Sequence, residues 1–555
     1  MARLAAFTPK PMNADTTARR TGFPARSSSR LAAASARAAV AVLSLSLLLA
    51  VAAGPGAARL SAQNGPQVAR AYRDAHGPAI LRDFAKLLSY PNVARDSVDI
   101  RRNAAYIRDQ LRAVGVEARL LEVDGAPPIV YGTLEVPGAN RTLGLYAHYD
   151  GQPVTPSEWT HGPWDPTLYT RAIESGGTPR AFPADAEAVD LEWRIYARSS
   201  GDDKAPIGAL LPTLRAFREA GVRPTSNLIF LLEGEEEAGS PHLEAYLKEY
   251  RDLFAPVDVW LFFDGPAHQS GRPQLTFGVR GVMDMELTVY GADRNLHSGH
   301  YGNWAPDPGM MLSQLLASMK DANGQVLVQG FYDTDAPLGP EEKAALAALP
   351  EYDAQLKKEL GLSWTEGEPE TLAQRLMLPA LNVLGIKVAE TGAHHTNAIA
   401  STAVADLGIR LVKGNTPEHM KELIEAHIRK QGYHIVRQDP DMATRLRYRK
   451  IVKVTGGQGY PAARTNMDNP YVRQIVAAGR AAADHAFGKG SLVLEPGLGG
   501  SLPLYLFTDT LGKPAVNVPV ANYDDNQHAA DENVRVANLW YAIELYAQLL
   551  TMPGA

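Results

Sequence analysis

Three short apolar runs, each followed by histidine or acidic residues, constrain the fold of this chain most strongly. They span residues 143–147 (LGLYA), 227–232 (NLIFLL) and 257–263 (VDVWLFF). Continuous apolar runs of this length are typical of strands buried on both faces, which belong to parallel sheets covered by helices. Apolar residues at three- and four-residue spacing predict a helix over 205–220, between the first two runs. The pattern therefore predicts an α/β fold with a doubly wound, mostly parallel sheet.

The apolar pattern changes after the third run. Residues 283–290 (MDMELTVY) and 404–412 (VADLGIRLV) alternate between apolar and polar, as half-exposed antiparallel strands do. We interpret residues 281–435 as a smaller α+β domain inserted into the α/β domain. The α/β domain would then comprise residues 65–280 and 436–555.

Residues 1–62 differ in composition from the rest of the chain. The first sixty residues hold eight basic residues and one acidic residue, and an apolar run covers residues 38–53. This run is short for a membrane span, and the small residues that follow it are typical of a secretory signal. We predict export to the periplasm or secretion, with no membrane span left after cleavage. An uncleaved N-terminal anchor is the alternative interpretation.

Composition narrows the chemistry that the chain can perform. The formal net charge of −6 argues against a general nucleic-acid binder, because phosphate affinity needs clustered Lys and Arg. The 555 residues include no cysteine, which excludes disulfides, thiolate zinc sites and cysteine nucleophiles. Any metal must therefore be held by His, Asp and Glu.

Histidine and acidic residues stand at the ends of the predicted strands. His148 and Asp150 follow the first run, residues 233–237 (EGEEE) end the second, and Asp264 follows the third. The carboxyl ends of parallel strands lie at one edge of a sheet, where polar ligands gather. Four carboxylates within five residues repel one another unless cations or solvent intervene. A metal site, with Asp150 steadying His148, is one interpretation, and a solvated acidic turn is the other.

Two more segments are candidates for the same site. Asp202, in the segment RSSGDDK, either bridges two cations or caps the helix that it precedes. His528, in the segment DDNQH, is either a metal ligand or part of a polar turn. Spacing alone does not decide between these alternatives.

In combination, these motifs resemble a di-zinc metallopeptidase family. The family includes carnosinase, other dipeptidases, aminoacylase, glutamate carboxypeptidase, acetylornithine deacetylase and succinyl-diaminopimelate desuccinylase. The resemblance covers residues 70–550 in the family's order and is greatest to the carnosinase-like dipeptidase branch. The motifs that carry it are HYDGQP at 148–153, DDK at 202–204, EGEEEAGS at 233–240, Asp264, NLHSGHYG at 295–302, GGS at 499–501 and the histidine of DDNQH at 524–528.

The resemblance implies two zinc ions per subunit, with manganese or cobalt as alternatives. One zinc would be held by His148, Asp202 and Asp264. The second would be held by Asp202, Glu237 and His528, so that Asp202 bridges the two ions. This set of imidazole and carboxylate ligands suits all three metals.

The resemblance also implies the remaining catalytic groups. Glu236 would be the general base that takes a proton from water and passes it to the leaving amine. His297, in the inserted domain, would stabilise the oxyanion in the active site of a partner subunit. The expected assembly is therefore a homodimer formed through the inserted domain, which would act as a dimerisation (lid) domain. An isolated exposed turn histidine is the alternative for His297.

Substrate-binding residues follow from the same resemblance. Asn397 and Arg410 would contact the scissile carbonyl region and the C-terminal carboxylate of the substrate. The alternatives are an ordinary turn residue for Asn397 and an exposed strand residue for Arg410. Gly500 and Ser501 would offer a backbone N–H and a hydroxyl to that carboxylate. The implied function is hydrolysis of dipeptides or short peptides next to a free C-terminal carboxylate. An N-acyl-amino-acid deacylase on the same scaffold and a non-catalytic peptide binder are the alternatives.

The chain departs from the family pattern at two places. The usual Arg-Gly-x-x-Asp before the bridging aspartate is here Arg198-Ser-Ser-Gly-Asp202, so the glycine has moved by two positions. Gly457 stands where carnosinase-like enzymes carry a histidine that contacts the substrate. The second departure concerns selectivity among dipeptides and leaves the metal ligands in place.

Overall fold

The computed structural model describes residues 65–553, so the predicted export segment lies outside the described range. No helix within these residues is long and apolar enough to cross a membrane. The helices, in chain order, are α1 (Gly65–Leu88), α2 (Ser97–Ala113), α3 (Lys204–Ala220), α4 (Leu243–Glu249), α5 (Arg251–Phe254), α6 (Ser298–Tyr301), α7 (Pro308–Ala317), α8 (Pro340–Ala347), α9 (Asp353–Glu359), α10 (Leu372–Leu376), α11 (Pro417–Lys430), α12 (Met442–Arg447), α13 (Pro470–Phe487) and α14 (Val536–Leu550). The strands are β1 (Glu117–Leu121), β2 (Ile129–Leu134), β3 (Thr142–His148), β4 (Thr167–Tyr169), β5 (Pro179–Arg180), β6 (Arg194–Tyr196), β7 (Asn227–Glu233), β8 (Val259–Phe262), β9 (Gln274–Thr276), β10 (Gly278–Val279), β11 (Gly281–Tyr290), β12 (Leu296–His297), β13 (Ala380–Lys387), β14 (Ala398–Ile399), β15 (Thr402–Leu411), β16 (His434–Val436), β17 (Ile451–Tyr460), β18 (Ala463–Arg464), β19 (Val493–Glu495), β20 (Ala515–Asn517) and β21 (Asn533–Arg535).

An eight-stranded sheet forms the larger part of the molecule. Its strand order is β1-β2-β7-β3-β8-β20-β9-β19. The central strands β7, β3, β8 and β20 are parallel neighbours, whereas β1 and β2 join them antiparallel at one edge. The three apolar runs of the sequence are β3, β7 and β8. The predicted α/β fold with a mostly parallel sheet is therefore confirmed.

The two faces of the sheet bury separate apolar clusters, because side chains alternate along each strand. On one face Leu145 belongs to a cluster with Phe84 of α1 and residues of α3 and α14. On the other face Tyr146 stacks on Phe262, with 4.1 Å between the ring centroids, and meets Phe507 edge-on. Burying each large apolar side chain contributes about 1.5–3 kcal/mol, so both faces anchor the central strands firmly.

A second, five-stranded sheet has the order β13-β15-β11-β17-β16. The long strands β15 and β17 pair antiparallel with β11 on either side. Met283, Leu287 and their neighbours on one face of β11 pack with Leu312 of α7 and Met420 of α11. The sheet continues to Tyr460. The predicted boundary at residue 435 thus falls inside this sheet, because the glycine-rich strand β17 does not alternate in sequence and yet pairs along β11.

Candidate metal centre

Three adjacent strands deliver polar residues to one edge of the large sheet. His148 is the last residue of β3 and lies in register with Glu233 at the end of β7. Asp264 follows the end of β8, which pairs with β3 on its other side. Because β7, β3 and β8 are parallel, the residues that follow them share this edge. The chain enters α3 through Asp202, whose side chain reaches the same place.

Carboxylates surround His148. Its Nε2 atom lies 3.0 Å from Oδ1 of Asp202, 3.8 Å from Oδ2 of Asp264 and 3.9 Å from Oε2 of Glu236. Its other ring nitrogen, Nδ1, lies 3.3 Å from Oδ1 of Asp150. The side chains of His148 and Asp150 are fully buried, so these contacts hold the imidazole in one orientation.

A second histidine lies on the other side of Asp202. Nε2 of His528 lies 3.1 Å from Oδ2 of Asp202 and 3.2 Å from Oε2 of Glu237. The two oxygens of Asp202 therefore face two different imidazoles, although His528 is far from His148 in sequence. Gln527 donates to Oδ2 of Asp202 at 2.6 Å, and Gln152 donates to Oε2 of Glu237 at 2.9 Å.

The donor set fits a pair of divalent cations. Two groups of three side chains each place their ligand atoms within 4.8 Å of one another, and Asp202 contacts the histidine of both groups. Oδ2 of Asp264 is buried and accepts no hydrogen bond within residues 65–553. A buried carboxylate oxygen without a partner is costly, and a cation would satisfy it. The groups are His148, Glu236 and Asp264, and Asp202, Glu237 and His528.

Of the four glutamates in the segment EGEEE, only two face this cluster. The Glu233 side chain is buried and accepts a hydrogen bond of 2.6 Å from the Tyr146 hydroxyl. Glu235 accepts the backbone N–H of His242 at 2.9 Å and contacts its ring at 3.0 Å. A short 3₁₀ turn, Glu236–Ala238, directs the other two toward the histidines.

Asp150 holds the 3₁₀ turn that carries Glu236 and Glu237 through hydrogen bonds to the backbone of the turn. Its two carboxylate oxygens accept the backbone N–H groups of Glu236 and Glu237, each at 3.1 Å. The same carboxylate contacts His148, so one buried side chain orients the imidazole and the acidic turn together. The sequence pattern predicted the contact with the histidine only.

The electrostatics of the cluster follow from crowded, buried carboxylates. Burial raises the pKa of Asp264 to about 7, and burial together with the nearby Asp264 and Asp202 raises the pKa of Glu236. Hydrogen bonds to Asp202 and Glu237 raise the pKa of His528 to about 10. Without cations the cluster therefore keeps protons, which metal binding must displace.

A buried ion pair supports the loop that carries Asp202. Glu532 accepts a hydrogen bond of 2.7 Å from Nη1 of Arg198 and three more, each of 2.9 Å, from the backbone N–H groups of Ser199, Gly201 and Asp202. The side chain of Glu532 is inaccessible to solvent. Glu532 was not among the residues predicted from the sequence, because a single glutamate in a polar turn carries no distinguishing local pattern.

Replacing Glu532 with alanine is expected to lower the free energy of unfolding by about 3–5 kcal/mol, because it leaves the buried guanidinium of Arg198 without a counter-charge. Urea denaturation would measure the change. The matched control is Glu192→Ala, which breaks the exposed pair with Arg535 and should cost less than about 1 kcal/mol. Equal losses in the two variants would contradict the structural role of Glu532.

The structure explains how the loop before Asp202 accommodates a residue other than glycine directly after Arg198. Ser199 takes the place of the glycine in the family pattern and has a φ of 62°, in the left-handed region that glycine favours. The hydrogen bond from its backbone N–H to Glu532 stabilises this conformation. The loop therefore keeps its shape without a glycine at this position.

The predicted substrate-binding residues form a separate group. Nη1 of Arg410 donates to Oγ of Ser501 at 2.8 Å, and Arg410 has no carboxylate partner within the described residues. The neighbouring Gly500 is exposed. Burial and the charge of Glu236 raise the pKa of Tyr460, whereas the hydrogen bond with Ser501 and the charge of Arg410 lower it.

His297 lies apart from the cluster. It is exposed on β12, which pairs with β14, and its ring lies 4.5 Å from that of His300. Within residues 65–553 it makes no ion pair with the acidic groups of the centre. The backbone carbonyl of Asn397 accepts hydrogen bonds from Ser298, so Asn397 and His297 share one exposed loop cluster. A single chain does not bring these two residues to the histidines of the centre.

Comparisons with known proteins identify the family to which this chain belongs. Residues 144–552 match peptidase family M20/M25/M40. The chain is 26% identical over 482 residues to the Cys-Gly metallodipeptidase DUG1 of Candida albicans, over 83% of this chain and 92% of that protein. It is 26% identical over 471 residues to the Beta-Ala-His dipeptidase of Homo sapiens, over 81% of this chain and 84% of that protein. The crystal structure of the M20 family metallo-carboxypeptidase Sso-CP2 from Sulfolobus solfataricus has a TM-score of 0.67 at 27% identity, covering 85% of this chain and 98% of that one. Because the family match spans most of the chain, the protein belongs to peptidase family M20/M25/M40 and is a metallopeptidase.

Proposed function

We propose that this protein hydrolyses the amide bond of dipeptides or short peptides next to a free C-terminal carboxylate. The observation that carries the proposal is the acidic cluster between two histidines, together with Arg410, a guanidinium that donates to Ser501 and has no carboxylate partner within residues 65–553. The relatives named as dipeptidases and as a carboxypeptidase support the same substrate class.

We assign the ligands as the family resemblance implies, and the contacts of the two histidines support this assignment. His148, Asp202 and Asp264 would hold one zinc ion, and Asp202, Glu237 and His528 would hold the other. When bound, two such cations polarise the scissile carbonyl and lower the pKa of a water toward neutrality. The absence of thiolates leaves manganese and cobalt as alternatives to zinc.

Glu236 is the proposed general base. Its Oε2 lies 3.9 Å from Nε2 of His148, so the carboxylate borders the cluster at nearly the same distance as that of Asp264, and the family resemblance assigns it the role of the base. Asp150 holds the Glu236 backbone, so the carboxylate can take a proton from water and return it to the leaving amine without moving far.

The substrate carboxylate would be bound by Arg410 and Ser501. A guanidinium without a carboxylate partner is suited to bind one, and the Ser501 hydroxyl already lies beside it. Gly500 would offer its backbone N–H, and Asn397 would contact the scissile carbonyl from the loop cluster around His297. This arrangement requires a free carboxylate on the residue that leaves.

The proposal is tested with a substrate panel and metal analysis on the purified chain. Protein loaded with zinc or manganese should hydrolyse free dipeptides at a pH between 6 and 9 and contain two ions per chain. Faster release of acetate or succinate from N-acyl-amino acids would favour a deacylase. Binding of peptides without hydrolysis of either dipeptides or N-acyl-amino acids would identify a non-catalytic binder. The presence of all proposed ligands and of the base argues against that outcome.

A homodimer would complete this site. The edge strand β13 of the second sheet exposes Leu384 by 66% and Ile386 by 57%. An exposed apolar edge strand is suited to pair with a second copy. Because His297 and Asn397 do not reach the metal centre of their own chain, we propose that they serve the centre of the partner subunit.

His297→Ala should abolish most turnover and leave the metal content unchanged, because the side chain holds no metal ligand position in its own chain. Mixing this variant with Glu236→Gln tests whether His297 acts in the active site of its own chain or in that of the partner subunit. If His297 acts across the interface, mixed dimers hold one complete site, and activity should recover to about a quarter of the wild-type value. Mixtures that stay as inactive as the separate variants would contradict action in the partner's site.

A further inference from the structure

A cavity with a mixed polar and apolar lining is formed in part by segments that also carry residues of the metal centre. Its volume is about 730 Å³. Its lining includes Pro266, Gly499 and Tyr523, which belong to three of the segments that carry site residues. Pro266 follows Asp264 by two residues, and Gly499 precedes Ser501 by two. The cavity therefore shares chain segments with both the metal centre and the proposed carboxylate site, and helices α8 to α10 and their connections form its outer wall.

The floor of this cavity is an edge of the large sheet. Glu495 on β19 lies opposite Thr276 on β9, and Gln274 lies two residues earlier on the same face of β9. Both Gln274 and Glu495 line the cavity. The sheet therefore presents a carboxylate and an amide side by side at its base.

Both groups have unused acceptors. Gln274 is 4% exposed; its Nε2 donates to the carbonyl of Pro266 at 2.9 Å, and its buried Oε1 has no partner within residues 65–553. In the same range the Glu495 carboxylate makes no hydrogen bond or ion pair, and burial raises its pKa to about 7. The buried amide oxygen without a donor is costly, and the half-buried Glu495 carboxylate is available to pair with a cation, so a ligand that donates to both would be bound favourably.

The charges of the remaining lining also favour a cation. Glu351 and Asp353 add carboxylates to the outer wall. Lys357 is a cation of the lining, but its Nζ already pairs with Glu368 at 2.9 Å. Burial lowers the pKa of His268, which keeps that ring neutral. The cavity therefore has an excess of negative charge.

We infer that this cavity takes the side chain of the substrate residue that bears the free carboxylate, and that Glu495 and Gln274 select a long basic side chain, lysine or arginine. The inference rests on the proposed function for the position of that residue. With its carboxylate at Arg410 and Ser501, the side chain enters past Gly499, and its terminal cation meets the two unused acceptors.

The test compares glycyl-L-lysine with glycyl-L-norleucine, which differ only in the terminal amine, on metal-loaded full-length protein. The wild type should show a kcat/KM about tenfold or more higher for the lysine peptide, as expected for a charge-assisted hydrogen bond. Glu495→Gln should lower kcat/KM for the lysine peptide and bring the ratio of the two peptides near one. Glu418→Gln, which removes an exposed carboxylate outside the cavity lining, should keep the preference.

Calorimetry with free L-lysine and L-norleucine provides a readout that needs no turnover. Tighter lysine binding that is lost in Glu495→Gln supports the inference, even if no dipeptide is hydrolysed and the proposed function fails. Hydrolysis of both peptides without a lysine preference, or with a preference that survives in Glu495→Gln, overturns the inference and leaves the proposed function intact. Equal binding of both amino acids to the wild type also overturns it.

Discussion

Glu236→Gln should lower kcat for dipeptide hydrolysis by about 10³-fold, the range expected when a general base is removed. The amide is nearly isosteric with the carboxylate but cannot accept and return the proton. The ligands assigned to the two cations are untouched, so mass spectrometry of the metal content should still find two ions per chain.

Glu235→Gln is the matched control for this variant. Glu235 precedes Glu236 directly, but its carboxylate contacts His242 and faces away from the metal centre. The glutamine can still accept the backbone N–H of His242, so turnover should remain close to that of the wild type. If Glu236→Gln kept full activity, or if both variants lost activity equally, another residue would be the base.

Asp202→Ala should remove both cations, because the two oxygens of Asp202 face His148 and His528 separately. Affinity should fall by more than about 10²-fold at each position, since even outer contacts of a metal site are worth about 10- to 100-fold. Metal content should drop from two ions to fewer than one per chain, and dipeptide hydrolysis should disappear with it.

Asp524→Asn controls for the loss of one carboxylate near the centre. Asp524 lies in the same segment as His528 but pairs with Arg194 at 2.7 Å. This variant should retain both cations. Loss of only one ion in Asp202→Ala, with the other held at wild-type affinity, would show that Asp202 does not bridge.

The local sequence predicted the framework of the site because strand burial is a local property. The apolar runs at β3, β7 and β8 specify strands buried on both faces, and buried neighbours of this kind pair in parallel. His148 and Asp264 follow from the ends of those strands. The same reasoning did not distinguish Glu236 and Glu237 from Glu233 and Glu235, because the direction of each side chain depends on the turn that Asp150 holds.

The residues that sequence reasoning missed act through contacts over long separations. Glu532 meets Arg198 across 334 residues, and only the pairing of β21 with β6 brings them together. Glu495 and Gln274 become neighbours only through the parallel pairing of β19 and β9. None of these contacts leaves a periodic signal along the chain.

The sequence by itself determined the strands, the parallel central sheet and the kinds of ligand available, since burial patterns and the absence of cysteine are local and compositional facts. The family resemblance implied that His528 and Asp202 share a cation, whereas only the tertiary structure decided that Glu532 holds the loop before α3 and that a cavity is formed between segments that carry site residues. Those contacts depend on strand order and register, which are set by packing among distant segments rather than by the residues next to each site in the chain.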